Sequence, residues 1–387
     1  MDMKIVIAPD SFKESLSALE AAREIEAGLR EIFPHAEYVK VPVADGGEGT
    51  VEAMIAATQG RRVSLSATGP LGAPVTSFYG LTGGAAPIAV IEMAAASGLE
   101  LVAPHQRDPL VTTSRGTGDL IRAALDAGAR HFILGVGGSA TNDGGAGMLQ
   151  ALGAGLLDAD GAQIAAGGAA LAGLARIDLS GFDPRIVDSV FEVACDVSNP
   201  LVGPRGASAV FGPQKGATPD VVAQLDANLR HYASIIARDT GQVVAEIPGA
   251  GAGGGIAAAM LVFLKGRLRP GSEIVADAVG LDAALQDADL VFTGEGRIDS
   301  QTVNGKTPVG VARVAQRHGK PVIAIGGCLA PDAAAVHAHG IDATFSTVRK
   351  AGTAAEAMAD AAFNLRSVAR NVGATLKLGM ALGAARA

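Results

Sequence analysis

The chain has 387 residues, a formal net charge of −8, 49% hydrophobic and only 4% aromatic residues, and 52 glycines. That length exceeds what one core usually holds, so two domains are expected, and the acidic balance argues against nucleic acid as the main partner. The glycines follow no collagen period and cluster beside charged residues, which marks tight turns and close backbone approach.

Lys4–Ala8 is a short apolar run before Pro-Asp-Ser and reads as a buried strand of a parallel sheet. A helix follows: Ser17 with Glu20 is a capping box, and Leu19, Ala22, Ile25, Leu29 and Ile32 keep helical spacing. Tyr38–Val43 is the next strand, ending at Asp45-Gly-Gly-Glu-Gly, and Thr50–Thr58 is helical up to Gly60. This βαβα start is a doubly wound signature. From Arg61 to about Leu99, alternating segments such as Val63–Ser66 and Val75–Leu81 predict antiparallel strands. Gly118–Ala127 is a helix and His131–Val136 a strand that runs into Gly137-Gly-Ser-Ala-Thr-Asn-Asp-Gly-Gly. Leu156–Gly161 reads as a strand reaching a turn, and Val190–Ala194 as a strand ending at Cys195-Asp196. Thr218-Pro-Asp starts a helix striped by Val222, Leu225, Leu229, Tyr232 and Ile236. After Gly271 the parallel pattern resumes: a strand over 289–293, a helix over 309–318, and strands over 321–325 and 343–346.

Both chain ends therefore look doubly wound and the middle looks mixed. The expected architecture is a mostly parallel, Rossmann-like α/β domain formed by residues 1–65 and 286–387, with an inserted mixed α+β domain over 66–285 and a cleft between them. Cys195 and Cys328 belong to no CxxC pair and fit a reducing compartment. No histidine spacing suits a metal. The N-terminus reads as a strand rather than a signal peptide, and the longest apolar stretch, 251–264, is too short for a membrane span. A cytoplasmic protein with no membrane partner is expected, and a homo-oligomer is left open beside a monomer.

The recurring event is a strand end followed by glycine plus a carboxylate. It occurs at Asp10-Ser11-Phe12-Lys13, Asp45-Gly-Gly-Glu48, Asn142-Asp143-Gly-Gly, Asp196-Val-Ser-Asn199 and Glu295-Gly-Arg297-Ile-Asp299. Ligands of open α/β sheets bind outside the carboxyl ends of strands. One Asp-Gly is an ordinary turn; five at strand ends suggest one composite site. Phosphoryl transfer explains the inventory, because it needs carboxylates for a divalent cation, donors for phosphate oxygens and a base for the attacking hydroxyl. Lys13, Lys215 and Lys306 sit in such loops, and Gly137-Gly138-Ser139 before a helix could present N–H groups to phosphate.

Two familiar motifs fail. Gly249, Gly251 and Gly254 satisfy GxGxxG, but Pro248 precedes them where a strand should flow into the turn. Gly305-Lys306-Thr307 resembles the end of a P-loop, but Ser300 stands where the first glycine is needed and Pro308 follows. Cys195 beside Asp196 has no histidine near it in sequence and reads as a small buried hydrophobe.

At these loops the chain closely resembles the bacterial glycerate kinase family of the two-domain type. The matching stretches are APDSFKESLSA (8–18), VADGGEGT (43–50), EMAAASGL (92–99), GVGGSATNDGGAGM (135–148), CDVSNPLVG (195–203), VFGPQKGA (210–217), RPGSEIV (269–275), TGEGRIDSQT (293–302) and GKTP (305–308). The resemblance implies glycerate as substrate, ATP and Mg²⁺ as cofactors, 2-phosphoglycerate as product and a two-domain α/β fold with a cleft. With loop position it makes Asp196, Asp299 and Lys13 the catalytic candidates. Ser11, Asp45, Glu48 and Arg297 are candidates for holding glycerate. Gly137, Gly138, Ser139, Asn142, Asp143, Lys215 and Lys306 are candidates for the nucleotide phosphates, and Asp196, Glu295 and Asp299 for the metal. Arg115 departs from the aromatic residue expected in TTSRGTGDL and keeps another hydroxy-acid or polyol open as substrate. A binding-only protein would be overloaded with carboxylates that repel an anion, and a nicotinamide enzyme would rest on the failed GxGxxG.

Overall fold

The computed structural model describes residues 3–384. The chain divides into two compact units. The first comprises residues 1–45, 52–59 and 271–387, and the second residues 46–51 and 60–270. Both are α/β, and most strand pairs are parallel.

In the first unit five strands form one parallel sheet in the order Ala343–Ser346, Val322–Leu329, Leu290–Ile298, Lys4–Ile7, Glu37–Lys40. The N-terminal strand is central and pairs Ile5 with Leu290 and Ile7 with Phe292. Period-two alternation sends Ile5, Ile7, Leu290, Phe292, Ile323 and Ile325 to one face. There they meet Ile25 and Leu29 of helix Ala18–Arg30, and Leu365, Ala369 and Val372 of helix Ala361–Ala384. The Ser17–Glu20 capping box is formed, with Glu20 accepting from the Ser17 N–H at 2.9 Å. The two helices approach closely because Gly28 lacks a side chain: a Cβ there would lie 2.2 Å from the Arg366 carbonyl oxygen.

The second unit holds a six-stranded mixed sheet ordered Arg267–Arg269, Val190–Ala194, His131–Gly135, Ile88–Glu92, Pro74–Leu81, Arg61–Thr68. Its last two pairings are antiparallel, as the alternating sequence there implies. Phe132 and Phe191 stack across neighbouring strands with centroids 4.6 Å apart, worth about 0.5–1.5 kcal/mol beyond their burial.

Strand Arg61–Thr68 belongs with the second unit because its whole length ladders with Pro74–Leu81. Helices Gly271–Ala278 and Leu281–Leu285 pack on helix Thr307–Arg317 in the first.

One local reading is corrected. The strand expected to stop near 293 continues to Ile298, so Glu295, Gly296 and Arg297 are strand residues rather than a loop. Glycine explains both the misreading and the fact. A Cβ on Gly294 would lie 2.2 Å from the Ile325 oxygen, and one on Gly327 2.3 Å from the Gly296 oxygen. These glycines let two strands approach rather than turn.

Candidate active site

In the first unit, chemistry gathers at the carboxyl end of the central strand. Asp10 follows Lys4–Ile7 and is buried. Its Oδ1 accepts from the Ser11 N–H at 2.6 Å, and its Oδ2 accepts from the Thr307 hydroxyl at 2.5 Å. Burial, with the nearby Asp45 charge next, pushes the Asp10 carboxyl up to about 7, and Thr307 and Ser11 only partly oppose it. Glu295, on the neighbouring strand, is also buried and shifted upward by desolvation; Thr302 opposes this by donating to its Oε1 at 2.6 Å.

Asp299 accepts from the Gln301 N–H at 2.9 Å and pairs with Arg297 at 3.2 Å. Lys306 Nζ stands 3.6 Å from Glu295 and 3.9 Å from Asp299. A single ammonium thus sits between two carboxylates, a position of strong negative potential. Ser11 and Asp45 are half-buried beside Asp10, while Lys13 and Arg297 reach solvent. Ser11, Lys13, Asp45, Glu295, Arg297, Asp299 and Lys306 therefore belong to one unit. Residue types alone mark the Asp10 loop without giving Asp10 a role of its own, and they do not single out Thr307 or Thr302.

The second unit holds the other candidates. Strand His131–Gly135 ends in an exposed Gly137-Gly138 turn, with Gly138 at φ +68°. The turn is clamped: the Leu99 N–H donates to the Gly138 oxygen at 2.8 Å, and the Ala140 N–H to the Ser97 oxygen at 2.9 Å. Lys215 lies inside rather than in solvent, 1% exposed. Its ammonium donates to Ser139 Oγ at 2.8 Å and to the Thr141 oxygen at 2.6 Å. Burial drives its pKa down to about 7, with Asp143 pulling the other way.

Asp143 is wholly buried and accepts from Ser114 N–H and Oγ, both at 2.8 Å, and from the Gly145 and Gly147 N–H groups. Asn142 is buried and donates to Ser208 Oγ at 3.0 Å. So Asn142, Asp143 and Lys215 build the loop from within, while Gly137 and Gly138 face out. Glu48, Arg115 and Asp196 are exposed. Among the described residues no three His, Cys, Asp or Glu cluster to hold a metal ion.

The GxGxxG glycines have a packing explanation. A Cβ on Gly254 would lie 1.9 Å from the Thr141 oxygen, and one on Gly251 2.3 Å from the Pro200 oxygen. The close partner is the chain's own backbone.

Lys215 also sets a pH dependence. Its folded pKa of about 7 lies below the ordinary 10.5, so between these values the unfolded chain holds a proton the folded chain lacks. Its contribution to stability is fully present above about 10.5 and is lost as pH falls through about 7. In urea denaturation from pH 7 to 10, Lys215→Met is expected to flatten this rise relative to the parent. An unchanged slope would place the proton elsewhere.

The fold and these clusters define an α/β enzyme that gathers carboxylates, hydroxyls and lysines at the carboxyl ends of parallel strands. The glycerate kinase family profile matches residues 5–377. The chain is 58% identical over 378 residues to glycerate 2-kinase of Escherichia coli (strain K12), covering 98% of this chain and 99% of that one. It is 56% identical over 376 residues to glycerate kinase of Bacillus subtilis (strain 168), covering 97% and 98%. A crystal structure provisionally named glycerate kinase 2 from Salmonella typhimurium LT2 superposes with a TM-score of 0.91 at 60% identity, over 98% of this chain and 100% of that one. The chain belongs to the glycerate kinase family, a family of phosphotransferases.

Proposed function

We propose that the protein transfers the γ-phosphoryl group of ATP to the C2 hydroxyl of glycerate, giving 2-phosphoglycerate and ADP. The carrying observation is the buried cluster of Asp10 and Glu295, electrostatically coupled to Asp45, with Lys306 between Glu295 and Asp299. The name of the Escherichia coli relative supports the C2 position. Two free cysteines suit a reducing, cytoplasmic setting. For the fold, the finer reading is a doubly wound, Rossmann-like domain made by both chain ends, with the middle of the chain inserted as a second domain.

In this reading Asp10 is the base. The glycerate hydroxyl passes its proton to Asp10 as its oxygen bonds to the γ-phosphorus. The bond to the β,γ-bridging oxygen breaks, and ADP leaves with that electron pair. A carboxyl near 7 suits proton transfer at neutral pH. Asp299 already faces two cations, Arg297 at 3.2 Å and Lys306 at 3.9 Å, which suits it to pairing with charge.

The residues fit Mg²⁺. Glu295 and Asp299 offer hard oxygens already facing one cation, Lys306; Asp196, in the second unit, is proposed as a metal ligand in its own right. Mg²⁺ usually takes one or two carboxylates plus phosphate oxygens, so no three-carboxylate cage is required. When bound, it would neutralise charge on the transferring phosphoryl group. In the first unit Ser11, Asp45 and Arg297 are proposed to hold glycerate, with Lys13 paired to the phosphoryl group and Lys306 countering phosphate charge. In the second unit Glu48 is proposed as a glycerate residue, and Gly137, Gly138 and Ser139 are proposed to donate to nucleotide phosphates, with Asn142, Asp143 and Lys215 fixing the loop.

NMR of the product tells O2 from O3 phosphorylation directly. Asp299→Asn and Asp196→Asn are expected to lower kcat steeply while leaving the fold intact. Near-full turnover in both would sink their assignment.

A further inference from the structure

The kinase reading leaves the base of the nucleotide unplaced. In the first unit a cavity of about 490 Å³ opens at the carboxyl ends of three parallel strands, Leu290–Ile298, Val322–Leu329 and Ala343–Ser346. That volume falls within the range of small-molecule sites. Gly296 and Gly327, on two of these strands, are among its lining residues. Phe12, Val348, Met358 and Phe363 form apolar walls. Three of these are large apolar side chains left in water: Val348 is 53% exposed, Met358 41% and Phe363 62%. Their gathering around one hollow marks a binding surface rather than scattered exposure.

The charges around the cavity fit the same class of ligand. Lys13, Arg349 and Lys350 line it against Glu356 and Asp360. The Arg349 guanidinium lies over the Phe363 ring at 4.7 Å, extending a flat surface suited to stacking. Glu356 is committed to the Thr353 N–H at 2.9 Å, which leaves Asp360 as the carboxylate for sugar hydroxyls. Lys13 belongs both to this lining and to the loop that follows Asp10. We propose that the cavity seats the purine nucleoside of the phosphoryl donor, with the phosphates leaving past Lys13 toward the cluster of Asp10 and Glu295. The inference rests on the kinase reading above and adds the place of the base.

Cys328 lines the cavity and is partly buried. In the whole protein, ADP is expected to slow maleimide labelling of Cys328 at least ~10-fold. Inorganic tripolyphosphate, which has phosphates and no nucleoside, is expected not to protect. A second arm fills the cavity: Ala357→Trp is expected to raise the KM for ATP about 10-fold or more, with the KM for glycerate and the melting temperature held. Equal protection by tripolyphosphate would overturn the nucleoside assignment. So would an unchanged KM for ATP in Ala357→Trp, or ATP turnover with Cys328 unprotected by ADP. Failure of the parent protein to turn over ATP or bind ADP would instead remove the kinase reading, and this inference with it.

Discussion

Asp10→Asn is expected to lower kcat by ~10²–10⁴-fold, and the variant is expected to melt at least as high as the parent at pH 8. The first half follows from geometry: the carboxylate stands at a strand end, buried, with Thr307 and Ser11 fixing both oxygens. The second half follows from linkage. The Asp10 pKa rises from 3.8 to about 7 on folding, so the folded chain holds a proton that the unfolded chain has released between those values. The stability this group contributes is fully present below about 3.8 and is lost as pH rises through about 7. At pH 8 the parent therefore carries a buried, ionised carboxylate that asparagine does not. Asparagine keeps an acceptor for the Ser11 N–H, and the Thr307 hydroxyl can reverse its role. The parent's kcat should fall on the acid side of about pH 7, and Asp10→Asn should lose that limb. A variant that loses stability and activity together would make Asp10 a structural residue and sink its role as base.

The second large effect concerns the second unit. Gly254→Ala is expected to cost about 3–5 kcal/mol of unfolding free energy, combining left-handed backbone strain with overpacking. Gly254 sits at φ +72°, and a Cβ would fall 1.9 Å from the Thr141 oxygen and 2.7 Å from the Thr141 carbonyl carbon. Backbone cannot swing aside as a flexible side chain can. Gly161→Ala is the control: φ is +81°, but its Cβ would meet nothing within 4 Å. It should lose only the strain, about 1–2 kcal/mol. Urea denaturation of both variants checks the difference. Equal losses would mean that close packing on the Thr141 loop contributes nothing.

Much of the local structure was legible because its signals are local. Ser17 and Glu20 announce the capping box that forms, and Thr218 caps its helix by accepting from the Val221 N–H. The last strand, Ala343–Ser346, forms where it was expected. The errors arise where distant residues decide. Gly294-Glu-Gly-Arg reads as a loop, yet the facing Gly326 and Gly327 turn it into a strand. Asp10 and Thr307 are 297 positions apart in sequence but hydrogen-bonded in space. A lysine in a Gly-Pro-Gln-Lys-Gly turn looks solvated until Ser139 and Thr141 enclose it. Loop residue types thus announced that a site existed, while the division between outward-facing and internal residues needed tertiary contacts.

The sheet of the first unit places strand Lys4–Ile7 between Glu37–Lys40 and Leu290–Ile298. On a ribosome adding about 5–20 residues per second, Ile5 waits roughly 15–60 s for the segment it pairs with at Leu290. Residues 60–270 of the second unit are contiguous and can collapse during that interval. Until then Ile5, Val6 and Ile7, all fully buried in the finished protein, have one sheet neighbour at most. An unpaired edge of that kind attracts other chains. Nascent copies thus stay exposed to misassociation along this edge until about three-quarters of the 387 residues have been made.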